Sequence, residues 1–306
     1  FPTRRSSDLL LDIHDSYLER CRDIGAVDVG EVRVHHNTIM FSEDNGISAS
    51  RGCGNVYIHH NTVLGANSGV WCSKYTTAEA LSLAARRMHI HDNMLICCMV
   101  GIHQDGAPKD FHDHNNTILW TGFITTGDNE VGYGSGTFLD TTIATDATAG
   151  STTLVLTDAS KLSANDYFLV HPTKRSSPRV YKASAVATNT VTTTEALDEA
   201  YTAAHGIRIT KCEAPTSGVT GYPILVNGTT TPVFAERGHI GSNTIHGWTG
   251  KAAIWLDRAR GVRAVGNFID KPLALVTGDG TVRGIYMTDG NSAATRNEQV
   301  VVDDNI

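Results

Sequence analysis

Val32-Arg33-Val34-His35-His36-Asn37-Thr38-Ile39 returns 24 residues later as Val56-Tyr57-Ile58-His59-His60-Asn61-Thr62-Val63. The phrase recurs as Met88-His89-Ile90-His91-Asp92-Asn93-Met94-Leu95 and as Phe111-His112-Asp113-His114-Asn115-Asn116-Thr117-Ile118. Looser copies are Gly238-His239-Ile240-Gly241-Ser242-Asn243-Thr244-Ile245 and Val262-Arg263-Ala264-Val265-Gly266-Asn267-Phe268-Ile269. An opening variant, Leu11 to Leu18, carries Ser16 in place of Asn, and the chain stops at Val300-Val301-Val302-Asp303-Asp304-Asn305-Ile306. From Ser16 onward the turn-to-turn spacing is 21, 24, 32 and 23 residues, then 127, then 24 and 38.

In each phrase the residues five and three before Asn are mostly apolar and those between are polar, which marks a strand with one buried face. A second short strand follows in each repeat, at Gly46-Ile47, Gly69-Val70, Gly101-Ile102, Gly122-Phe123, Ala253-Ile254 and Gly284-Ile285. A period near 24 fits a coil of short strands. One coil cannot bury its apolar face alone, so several must stack. Equivalent asparagines then lie about 4.8 Å apart, where side-chain amides hydrogen-bond along the stack. The expected fold is all-β: a right-handed parallel β-helix, a single-chain solenoid interrupted by a small inserted β-module. Over roughly residues 10–139 and 237–306 the pattern resembles the pectate-lyase-like superfamily of right-handed β-helix proteins.

Domain boundaries are expected as follows. Residues 1–9, Phe1 to Leu9, match the translation of a common short-read sequencing adapter and are set aside. Residues 10–140 and 237–306 hold the coil. Residues 141–236 hold the module and its return segment, with alternating runs at 152–156, 167–170, 179–186, 189–193 and 207–209. The adapter match and the missing closing repeat point to a fragment at both ends, of metagenomic origin. A net charge of −7 argues against nucleic acid, and no apolar run is long enough to span a bilayer. The cysteines form no CxxC pair, and Cys72 falls at an inward position.

Register turns the sequence into columns. The first outward position of the second strand reads Ser48, Trp71, His103, Ile124, Trp255 and Tyr286. The next outward position reads Ser50, Ser73, Asp105, Thr126, Asp257 and Thr288, and just beyond lie Arg51, Lys74, Asp128, Arg258 and Asp289. Tryptophans beside acids and bases suit a sugar-binding face, because flat rings cover sugar faces and the polar groups take hydroxyls. Trp71, Trp255, Tyr286, Arg258 and Asp128 are the candidate substrate-binding residues. Burial of the tryptophans under the module or the long turns is the alternative.

Two chemistries fit such a face. Glycoside hydrolysis needs a carboxylate pair, for which Asp105 with Asp257 or Asp128 are candidates. Elimination from a uronic acid needs a base and cations, for which Lys74, Arg51 and His103 are candidates. Within the resembled superfamily, chondroitinase-B-type and alginate lyases use a Lys/Arg pair on the helix face, which implies Lys74 and Arg51 here. Their surrounding calcium-binding acids find no match, and the mannuronan-epimerase motif Asp-Pro-His-Glu is absent. A divalent cation such as calcium is the one cofactor in view, and no metal ligand is assigned.

The expectation is therefore a carbohydrate-active protein, a polysaccharide lyase or glycoside hydrolase, with polysaccharide as partner. The resemblance implies an extracellular, cell-surface or virion location. The alternative is a non-catalytic tailspike or adhesin segment, trimeric if tailspike-like. Of 14 histidines, ten lie in the strand before the Asn turn. They read as a stacked, mostly neutral structural ladder, with a metal or pH-responsive site as the alternative.

Overall fold

The computed structural model describes residues 9–27, 29–42, 44–50, 53–73, 86–125, 139–172, 177–213, 221–227, 234–272, 283–288 and 299–306. The chain divides into two compact units, 1–122 with 215–306, and 123–214.

The first unit is a right-handed parallel β-helix with three strand faces per coil. The first face carries the repeated phrase, as in Glu31–His35, Asn55–His59, Arg86–His91, Lys109–His114 and His239–Gly241. The second face follows the turn, at Thr38–Met40, Thr117–Thr121 and Thr244–Trp248. The third is built from Asn45–Ser50, Tyr222–Asn227, Ala252–Asp257 and Arg283–Thr288. Thr62–Ser73 and Met94–Gln104 run through the second and third faces as single long strands. Pairing within the coil is parallel, as in Val34↔Ile58 and Ile58↔Ile90. The alternation seen in sequence points Val32, Val34, Val56, Ile58, Met88 and Ile90 inward, and all are buried.

Two repeated devices fix the coil. Just before each Asn stands a residue with left-handed backbone, including His36, His60, Asp92, Asn115, Ser242 and Gly266. His, Asn, Asp and Gly tolerate that conformation best. Each buried Asn then donates from Nδ2 to Oδ1 of the Asn on the next coil. These bonds measure 3.0 Å for Asn37 to Asn61, Asn61 to Asn93 and Asn93 to Asn116, and 2.9 Å for Asn243 to Asn267. The same Nδ2 reaches back to the preceding coil, as from Asn93 to the Ile58 carbonyl at 2.9 Å. An unpaired buried amide costs about 1–3 kcal/mol, so the satisfied ladder holds register strongly. Gly46 and Gly69 on the third face are required by close approach. A Cβ on Gly46 would lie 2.7 Å from the Gly69 carbonyl oxygen, and one on Gly69 would lie 2.8 Å from that of Gly101.

Asn116 bonds to Asn243 at 3.0 Å, so coils 127 residues apart in sequence stack directly. The chain leaves the coil after Gly122, between the second and third faces. Here the columns read from sequence need correction. Ile124–Thr125 is not a coil strand; it pairs antiparallel with Glu213 and Cys212 in the second unit. The third-face strand of that coil is Tyr222–Asn227, with Ile102↔Ile224 and Ile224↔Ile254. Leu225 and Asn227 therefore stand where Ile124 and Thr126 were expected.

The second unit is a seven-stranded sheet that includes Thr153–Val155, Tyr167–Val170, Arg179–Ala187, Thr190–Thr193 and Arg208–Glu213. Its pairing is antiparallel, and Leu154, Phe168, Tyr181, Val191 and Ile209 form its own core. Among the described residues no helix is long and apolar enough to cross a membrane.

Candidate functional site

Backbone register assembles the outward column of the third face as Ser48, Trp71, His103, Leu225, Trp255 and Tyr286. Ser48 is buried and donates to Asp23 Oδ2 at 2.8 Å. From Trp71 onward each member is half-buried. The expected tryptophans thus share one column with His103 and Tyr286, and Leu225 lies between His103 and Trp255.

The upper part of the column is an aromatic cluster with fixed polar edges. Trp255 meets Tyr222 edge-on at 4.7 Å and Tyr286 at 5.4 Å between ring centroids. The Arg283 guanidinium sits 4.6 Å over the Tyr286 ring, a cation–π contact. Trp255 Nε1 donates to Thr288 Oγ1 at 2.7 Å, and Thr288 Oγ1 donates to Asp257 Oδ1 at 2.8 Å. The second oxygen of Asp257 pairs with the Arg258 guanidinium. Both carboxylate oxygens are thus engaged, so Asp257 can orient its neighbours and accept a hydroxyl. To act as acid or nucleophile it would first have to release a partner.

His103 has a different setting. Asn227 Nδ2 lies 3.3 Å from His103 Nε2. With that amide as donor, Nε2 accepts and the ring proton sits on Nδ1. Burial lowers the pKa of His103, and the nearby Asp105 only partly opposes this. A neutral imidazole is the form that can take a proton. Asp105 accepts from the Gly106 amide at 2.8 Å, which fixes its carboxylate at the end of the strand.

Lys74, Arg51 and Asp128 lie outside the described residues, as do Thr126 and Asp289. Tyr222, Leu225, Asn227 and Arg283 were missed in sequence. Tyr222-Pro223-Ile224-Leu225-Val226-Asn227 does alternate, but Pro223 stands where other coils have Gly or Ala, which hid the repeat.

The first face carries the histidines. His35, His59, His91 and His114 stack with centroids 4.9–5.0 Å apart, and His14 extends the stack at 5.2 Å from His35. His59 is pushed down to about 4, first by burial and then by the surrounding histidines. His14 is raised by its hydrogen bond to Asp15.

No protein-family model and no curated protein matches this chain. Among solved structures it is similar to the Gp54 tailspike of Acinetobacter baumannii bacteriophage AP22, in complex with A. baumannii capsular saccharide. That likeness has 11% identity and a TM-score of 0.27, over 89% of this chain and 42% of that one. It is also similar to the Pseudomonas phage phi297 tailspike gp61, with 11% identity and a TM-score of 0.24, over 78% of this chain and 42% of that one. The chain spans less than half the length of either. Neither likeness bears on activity.

Proposed function

We propose that the third face binds an extended glycan, laid across the coils along the column from Trp71 to Tyr286. The observation that supports this best is the Tyr222–Trp255–Tyr286 cluster, edged by Thr288, Asp257 and Arg258. Tyr222 is buried, and the half-buried Trp255 and Tyr286 rings, held by edge contacts and a Trp Nε1 hydrogen bond, are pre-ordered, so a sugar stacks on them at little entropic cost. Carboxylate and guanidinium groups at the ring edges match sugar hydroxyls and acidic substituents. Such a role places the chain outside the cell, at a cell surface or on a virion.

His103 favours a second reading, in which the face also cleaves what it binds. As the base of a uronic-acid elimination its neutral, half-buried imidazole has, among the described residues, only the long Asn227 hydrogen bond at Nε2 to release, whereas Asp257 is held by both the Thr288 hydroxyl and the Arg258 guanidinium.

Affinity electrophoresis against uronate-containing and neutral polysaccharides tests both readings. The expected result is retardation in at least one gel. Replacing Trp255 by Ala should weaken it by about fivefold or more, given roughly 1–3 kcal/mol for a lost stacking group. Unsaturated uronides released by the unmodified chain, and absent in His103→Ala, would add the lyase step. No retardation by any glycan would sink the binding reading.

A further inference from the structure

The first face holds a feature with no part in glycan binding. Two columns run side by side there. One is the stack of His14, His35, His59, His91 and His114. The other consists of the left-handed residues beside it: Asp15, His36, His60, Asp92 and Asn115. The two columns touch from His14 to Asp92. His35 Nδ1 lies 2.9 Å from His36 Nδ1, His59 Nδ1 lies 2.9 Å from His60 Nδ1, and His91 Nδ1 lies 2.7 Å from Asp92 Oδ2.

The second column changes from imidazole to carboxylate between His60 and Asp92. At that step one ring nitrogen each of His60 and His91 and a carboxylate oxygen of Asp92 lie within 4.8 Å of one another. His60 meets His91 edge-on at 6.1 Å between centroids, while His59 stacks on His91 at 4.9 Å and abuts His60. The geometry points to a divalent transition-metal site formed by His60, His91 and Asp92, with zinc the best match. Tetrahedral zinc, with bonds of about 2.0–2.1 Å to nitrogen and oxygen, needs ligand atoms about 3.3 Å apart. Side-chain rotation at an exposed surface closes the remaining distance. Two imidazoles and one carboxylate select zinc, copper or nickel over calcium or magnesium, which want more oxygens. Three protein ligands leave one tetrahedral position for water.

The ligands belong to successive coils. His60 precedes Asn61 and Asp92 precedes Asn93, and those two asparagines, 32 residues apart in sequence, stack directly. A bound ion therefore clamps two coils together and stabilises the folded chain by mass action.

Zinc titration of the full, chelator-stripped chain by calorimetry tests the site, with the unfolding midpoint followed in parallel. The expected result is a saturable event near one equivalent and a rise in midpoint. His60→Asn and Asp92→Asn suit the test, because Asn accepts the left-handed backbone at both positions. Each should weaken binding by at least about tenfold and abolish the rise in midpoint. His112→Gln, in a separate stack with His89, should change neither. Ring-nitrogen NMR of the unmodified chain gives a reading free of variants, with His60 and His91 moving first on adding zinc. No saturable binding overturns the proposal. So does unchanged affinity in the double variant H60N/D92N, or an equal loss in His112→Gln, which would mean diffuse binding along the histidine surface.

Discussion

Asp113 occupies an inward position of the first face, between Ile90 and Ile240 in register, and is fully buried. Its Oδ1 accepts from Gln104 Nε2 at 2.9 Å. Among the described residues, Oδ2 of Asp113 and Oε1 of Gln104 have no hydrogen-bond partner. Burial pushes the carboxyl up to about 7, opposed only in part by the Gln104 bond. The titratable group facing it is the Cys72 thiol, itself pushed up by burial and by Asp113. The consequence for stability has a definite sign. Between the ordinary carboxylate range and pH about 7 the folded chain holds a proton that the unfolded chain has lost. Asp113 therefore costs stability progressively as pH rises through that window. Asp113→Asn keeps an acceptor for Gln104 Nε2, adds a donor and removes the charge. Urea midpoints should show the variant more stable at pH 8, by about 2 kcal/mol. The advantage should shrink towards pH 4; an advantage independent of pH would refute the account. The repeat made this position inward, and nothing local in the sequence named Gln104 as its partner.

Along the first face the inward column Met88, Phe111, Gly238, Val262 pairs its largest member with its smallest. A Cβ on Gly238 would fall inside the Phe111 ring. Phe111 is itself fully buried, so its ring has little room to retreat. Gly238→Ala should lower stability by about 1–3 kcal/mol, the usual range for overpacking. Combined with Phe111→Leu, which vacates the ring volume, the loss should be clearly smaller than the sum of the two single losses. A double-mutant cycle of urea midpoints checks this, and additive losses would show that the two positions do not share the space. In sequence Gly238 looked like a weakened copy of the Val32 and Val56 position. Its complementarity to Phe111 depends on stacking across the 127-residue gap.

The chain comprises a coil and a second unit, residues 123–214, that interrupts it in sequence. Gly122 and Gly221 flank that excursion and pack closely, since a Cβ on either would meet the other's Cα at 3.2 Å or less. The coil's own pairings, Thr121↔Trp248 and Asn116 to Asn243, are made without residues 123–214. Joining Gly122 to Gly221 through a short glycine bridge should therefore leave a folded parallel coil. Far-UV circular dichroism and an unfolding midpoint within a few degrees of the full chain would bear this out. Loss of cooperative unfolding would show that the coil depends on the second unit. The sequence alone determined the asparagine period, the inward and outward alternation, the column joining Trp71, His103, Trp255 and Tyr286, and the alternating runs of the second unit. These follow from local periodicity, which sets the side of a strand on which each residue stands. Only the tertiary structure decided that Leu225 rather than Ile124 continues the column, that Asp113 faces Gln104, and that Asp92 meets His60 and His91. The first depends on which distant strand hydrogen-bonds beside which, and no local period encodes a pairing made across a gap of 127 residues; the other two depend on where side chains meet across one coil and between neighbouring coils, which a period does not give.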